Sequence, residues 1–130
     1  MDELQIYLNS RNYTESGLCE ILNKKIMITN EHVKLYKDGY PNVRIIEIFK
    51  RYGYVFTIDD YKYIIHECVD EIERIPTDEI TEELYLYVLD ELINGSYDIK
   101  SSLSWIMNVI SDDEITENIR KKLSYIDSLI

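Results

Sequence analysis

Ile58, Tyr61, Ile65, Cys68, Ile72 and Ile75 recur at steps of three and four, the period of one helix face. Asp59, Asp60, Lys62, His66, Glu67, Asp70, Glu71 and Glu73 fill the opposite side, so the spacing predicts a helix over residues 57–75. Thr57 stands where an N-cap oxygen is wanted, Asp60 follows three residues on, and Asp59 puts negative charge at the positive end of the helix dipole. Pro76 ends the run. Thr77 is placed to cap a further helix with Ile80, Leu84, Val88, Leu92 and Ile93 on its apolar side, closed by Asn94-Gly95-Ser96. Before both, Ile45, Ile46, Ile48, Phe49 and Tyr52 make a wide apolar stripe over residues 43–52, ended by Gly53.

The rest of the chain repeats this pattern. Residues 1–11 carry Leu4, Tyr7 and Leu8 on one side, and Thr14 caps a segment with Leu18, Ile21 and Leu22. Residues 24–28 read as a helix end or a brief extended piece. Thr29 or Asn30 then opens a helix with Val33, Leu35 and Tyr36 inward, closed by Asp38-Gly39 ahead of Pro41. Residues 97–110 are apolar over much of the helical circumference, through Ile99, Leu103, Trp105, Ile106, Met107, Val109 and Ile110. Such a helix normally lies at the buried centre of a bundle, with the Trp105 indole N–H bonded to a partner. Ser111 and Glu114 match a capping box opening the last helix, with Ile115, Ile119, Leu123, Ile126 and Ile130 inward and Arg120, Lys121 and Lys122 outward. No segment alternates as a strand does. The expectation is a single all-α domain over residues 1–130, a compact bundle of seven or eight short helices around a buried Trp105 helix.

Charge divides the chain unevenly. Of a net charge of −11, residues 1–53 hold eight basic and seven acidic side chains, and residues 54–130 hold six basic and eighteen acidic. An acidic surface of this kind serves solubility, or it matches a basic partner. With 45% hydrophobic residues the chain has the apolar content of a folded domain rather than a disordered one. Two cysteines, Cys19 and Cys68, no signal peptide and no apolar run near 18 residues lead us to expect a cytoplasmic protein without membrane contact.

Phe49, Tyr52, Tyr54, Phe56, Tyr61 and Tyr63 cluster about the turn at Gly53. Phe49, Tyr52 and Tyr61 lie on the apolar stripe and seal a helix corner. Tyr54 and Tyr63 stand off it, and two roles remain open for them: packing, or anchoring a partner.

Residues 18–54, LCEILNKKIMITNEHVKLYKDGYPNVRIIEIFKRYGY, resemble the phage-repressor type of helix-turn-helix. Leu18, Leu22, Val33, Tyr36, Gly39, Pro41 and Ile45 take the places of that family's apolar and turn positions. The resemblance implies a DNA-binding regulator built on residues 14–53, with Asn30, His32 and Lys34 toward DNA. The chain departs from the pattern in the long gap between Leu22 and Val33, and in Glu31 at the start of the second helix, where an acidic side chain would meet phosphates.

No catalytic signature, phosphate-binding loop, cofactor fingerprint or metal-ligand spacing is present. His66 and Cys68, two residues apart on a helix, point about 200° from one another and share no metal. The carboxylates around residues 67–71 and 78–83 lie on polar helix faces rather than as a paired acid and base in a cleft. Binding is the function class left. The sequence points to a small acidic module that inhibits or sequesters a partner protein with a basic surface, as immunity proteins against nuclease toxins and phage or viral inhibitors of host defence do. Its candidate contact residues are Tyr54, Tyr63, Glu67, Asp70, Glu71, Asp78, Glu82 and Glu83. Direct nucleic-acid binding is disfavoured by the charge. Size and helix content also permit a viral Bcl-2-like antagonist of host signalling, an analogy of fold with no sequence motif behind it.

Overall fold

The computed structural model describes residues 2–10, 13–36, 44–95 and 98–130. Among them are eight α-helices, three 3₁₀ turns and no strand, so the all-α expectation holds. Asp38, Gly39, Pro41 and Ser96, all used in the expectations above, lie outside the described residues. The chain divides into two compact units, Met1–Cys68 and Val69–Ile130.

The N-terminal unit holds α1 (Glu3–Asn9), α2 (Glu15–Leu22), α3 (Asn30–Val33), α4 (Ile45–Arg51) and α5 (Ile58–Glu67). Three of these short helices, α1, α2 and α5, begin where a side chain satisfies an amide that has no partner within the helix. Asp2 and Gln5 form a reciprocal capping box on α1, Thr14 accepts from Gly17 N–H on α2, and Thr57 with Asp60 boxes the start of α5. Leu4, Leu8, Leu18, Leu22, Ile46, Phe49, Ile64 and Ile65 fill the core, each burial contributing about 1.5–3 kcal/mol over exposure. Two glycines are required. Gly53 leaves α4 at φ +93°, in the left-handed region, and a Cβ on Gly17 would stand 1.9 Å from the Tyr7 hydroxyl oxygen.

In the C-terminal unit a 3₁₀ turn, Val69–Arg74, leads to a second, Thr77–Glu79, then α6 (Glu82–Asn94), α7 (Ile99–Val109), a third turn Asp112–Glu114, and α8 (Glu117–Ser128). Three expectations are corrected here. The helix begun at Ile58 does not run on to Ile75: it stops at Glu67, and Cys68 is extended at φ −151°, ψ 105°. Cys68 and Val69 are adjacent residues of low helix propensity, and beyond them the tighter turn, at three residues per turn, lines up Val69, Ile72 and Ile75 as one buried row. Next, Thr81 rather than Thr77 caps α6, and Thr116 rather than Ser111 caps α8.

The third correction concerns Trp105. It is half-buried, and Ile106 is the one buried residue within α7. The centre is α6, which buries Leu84, Tyr85, Val88, Leu89 and Leu92 and touches the first 3₁₀ turn, α7 and α8. Its apolar residues share a single face that three neighbours cover. Those of α7 are spread around the helix, so much of that helix stays at the surface. Trp105 donates its indole N–H to Glu73 Oε1 at 2.5 Å. No described helix is long and apolar enough to cross a membrane.

Candidate partner-binding site

The eight candidate residues divide between the units: Tyr54, Tyr63 and Glu67 in the first, Asp70, Glu71, Asp78, Glu82 and Glu83 in the second. Tyr54 is half-buried, its ring edge-on to Phe56 at 4.8 Å between centroids, and its hydroxyl donates to Asp60 Oδ2 at 2.5 Å. Burial, then the bond to Asp60, push that phenol far above the ordinary tyrosine range. Tyr63 donates to the backbone oxygens of Lys34 (2.6 Å) and Tyr36 (3.3 Å), tying α5 to the end of α3. Both hydroxyls are therefore engaged within their own unit, while Glu67, the last residue of α5, is half-buried.

Asp70, Asp78 and Glu83 are exposed. Glu71 leaves the candidate surface: it is 3% exposed, with Arg74 Nη1 3.4 Å from its Oε1. The reason is the change of helix type. In a 3₁₀ turn residues i and i+3 eclipse, which brings the guanidinium onto the carboxylate and makes burial of the charge tolerable.

Around Tyr85 the C-terminal unit forms a cleft of about 550 Å³, whose walls include Asp78, Ile80, Glu82, Glu114 and Thr116. Local chemistry places each of them. Pro76 and Thr77 close the turn that carries Asp78, through Glu79 N–H to Pro76 O (2.9 Å) and Ile80 N–H to Thr77 O (3.2 Å). Thr81 caps α6 and sets Glu82 in the first turn, where the dipole favours negative charge. Asn118 donates to Glu82 Oε1 at 2.8 Å. Glu114, at the end of the third 3₁₀ turn, accepts from Ser111 Oγ at 3.0 Å and from the Tyr85 hydroxyl. Burial first, and the bond to Glu114 second, raise the Tyr85 phenol well above its usual range. On the other side of α6, Tyr87 is pushed up to about 12 by burial and by its bond to Glu91.

Asp78 and Glu82 are the cleft residues already in the sequence-based set; Tyr85 and Glu114 are among those missing from it. The S-x-x-E spacing at Ser111 is visible in the chain, but it reads as a helix start, and Tyr85 carries no sequence signal of its own. Their meeting depends on how α6 lies against the turn before α8. The cleft presents carboxylate acceptors beside an isoleucine and a buried tyrosine ring, an arrangement suited to a cationic group with an apolar stem. Among the described residues no three His, Cys, Asp or Glu side chains lie where they could hold a metal ion.

In the segment that resembles a helix-turn-helix, α3 is a single turn, with Asn30 and Lys34 exposed. His32 is turned inward at 1% exposure: Thr29 N–H donates to its Nδ1 at 2.9 Å, and its Nε2 meets Asp2 Oδ2 at 2.9 Å. Comparison of the chain with protein-family models, with curated proteins and with solved structures gives no match.

Proposed function

We propose that the protein is a protein-binding module that inhibits or sequesters a partner with a basic surface, and that residues 69–130 supply the binding face. Support comes first from charge: the N-terminal unit carries nine basic and ten acidic residues, net −1, whereas the C-terminal unit carries five and fifteen, net −10. The observation that carries the proposal is the convergence of Asp78, Glu82 and Glu114 on one cleft around Tyr85. A concentrated negative surface speeds encounter with a basic partner and fixes its orientation, and a buried aromatic ring beside it offers desolvated contact. Nucleases and other enzymes that grip nucleic acid carry such basic surfaces. Occluding one of them is the action of an immunity protein or an inhibitor of host defence, and it places both partners in the cytoplasm.

The test is capture of the partner from native or host lysate, in nuclease-treated and untreated halves, by the wild-type chain and by Asp78→Lys/Glu82→Lys. One protein held by the wild type in both halves at near-equal stoichiometry, and lost by the double variant, is the expected result. Equal capture by the double variant rejects this face. Retention only in the untreated half makes nucleic acid the ligand.

A further inference from the structure

The cleft at Asp78, Glu82 and Glu114 does not end at Tyr85. A second hollow of about 250 Å³ shares Thr77, Ile80 and Tyr85 with it and continues past Ile72, Ile75 and Val109 to Glu73. The two are one groove. Its base is apolar, with Ile72, Ile75 and Tyr85 at 0%, 4% and 2% exposure, and Ile80 and Val109 half-buried above them. The larger part alone falls within the range of roughly 300–1,000 Å³ typical of ligand-binding sites.

Four carboxylates, Glu73, Asp78, Glu82 and Glu114, line this groove, and three of them accept from named donors. The Tyr85 and Ser111 hydroxyls bond Glu114, the Asn118 amide bonds Glu82, and the Trp105 indole bonds Glu73. All these donors are neutral. Three of the unit's five cations pair with other acids: Arg74 with Glu71 at 3.4 Å, Lys122 with Asp90 at 2.6 Å and Lys121 with Glu117 at 3.7 Å. Among the described residues none of Glu73, Asp78, Glu82 and Glu114 has a Lys or Arg partner. Neutral hydrogen bonds orient a carboxylate without cancelling its charge. The groove thus carries four carboxylates without a Lys or Arg partner, three of them oriented by neutral donors, beside apolar side chains, with no cluster fit for a metal ion among the described residues.

We infer, on the premise that the acidic face is where the partner binds, that this groove receives a short amphipathic basic segment of that partner. Its apolar side chains lie against the half-buried Ile80 and Val109, and its Lys or Arg side chains pair with Glu73, Asp78, Glu82 and Glu114. Charge alone would call only for a basic surface. The half-buried Ile80 and Val109 call for alternate hydrophobic side chains as well, because a purely polar chain would leave them uncovered.

Two synthetic peptides of equal length and charge test this on the full chain, one alternating Lys with Leu and the other Lys with Ser, with binding followed by fluorescence anisotropy. The Lys/Leu peptide is expected to bind at least ~10-fold more tightly, equivalent to about 1.4 kcal/mol. Asp78→Lys/Glu82→Lys should weaken both peptides. Ile80→Ser should weaken only the Lys/Leu peptide and bring the two affinities together. Asp112→Lys/Asp113→Lys, the same charge change at two exposed acids outside the groove, should preserve the difference. Amide shift mapping on the wild type, which needs no variant to fold, should centre on Thr77, Ile80 and Thr116. Equal affinities for the two peptides overturn the groove but leave an acidic binding face standing. Loss of the preference in the Asp112/Asp113 variant, shifts mapped elsewhere, or no binding of either peptide overturns the groove as well. The acidic face itself fails separately, if Asp78→Lys/Glu82→Lys still captures the partner from lysate.

Discussion

Among the described residues, the buried polar side chains of residues 1–68, His32 and Asp60, serve helix caps, whereas the buried acid of residues 69–130, Glu71, meets a guanidinium and most of the other carboxylates there face outward. Asp60, at 4% exposure, accepts from Thr57 N–H and from Tyr54, and His32, at 1%, links the cap of α3 to the cap of α1. The same residue types in the second unit, Asp78 and Glu82 for example, are exposed or half-exposed. Short helices explain the first case. A helix of seven or eight residues has about as many unpaired terminal amides as paired ones, so a unit built from such helices needs its polar side chains for caps. The C-terminal unit has longer helices, of 11 to 13 residues, each capped by one residue. Its remaining acids are left for solvent or for a partner.

The contrast can be broken most forcefully at the aromatic cluster. Phe56 stacks on Tyr61 at 5.2 Å and lies 6.4 Å from Phe49, so Phe56→Ala should cost the N-terminal unit about 3–5 kcal/mol in urea unfolding followed by circular dichroism. A loss below about 1 kcal/mol would mean the rings are not the core of that unit.

A matched pair of aspartates sharpens the comparison. Asp60→Ala strands Thr57 N–H and the Tyr54 hydroxyl and should cost about 2–3 kcal/mol, as hydrogen bonds to charged groups do. Asp78→Ala, at an exposed turn, should stay within about 0.5 kcal/mol. Equal costs would erase the distinction between inward and outward acids.

The smallest effect is expected at Asp2. Its carboxyl is held below the usual range chiefly by Gln5 N–H, against partial desolvation and with help from the His32 ring. A lowered carboxylate stabilises the fold above the unfolded value of about 3.9, and that contribution is lost as the pH falls through the folded value. Asp2→Asn should therefore be slightly less stable than wild type near neutral pH, with the gap closing as the pH falls below the ordinary aspartate range. A gap that persists into acid would assign the effect to shape rather than charge.

Much of the local structure was legible in the chain. Thr14, Thr29 and Thr57 start helices in the structure as their spacing predicts, and Gly53 ends one. These devices act over three or four residues, so the chain alone specifies them. Glu71 and Trp105 were misread for a common reason. Periodicity assigns a face to each residue only while the helix continues, and it does not say which neighbour covers that face. The break at Cys68 turned Glu71 inward, and the cover provided around α6 left Trp105 half-exposed. The candidate site was half legible: Asp78 and Glu82 announce themselves as acids, while Tyr85 and Glu114 become part of it only through packing.

By itself, then, the sequence determined an all-helical chain, where most of its helices begin, and the gathering of negative charge in its second half, because caps, periodicity and charge are properties of neighbouring residues. Only the tertiary structure decided that α6 is the centre of the C-terminal unit, that Glu71 is buried on Arg74, and that four carboxylates, three of them with neutral donors, line one groove. Burial and pairing depend on residues some thirty positions apart, as Tyr85 is from Glu114, and contacts at that range form only when the helices pack.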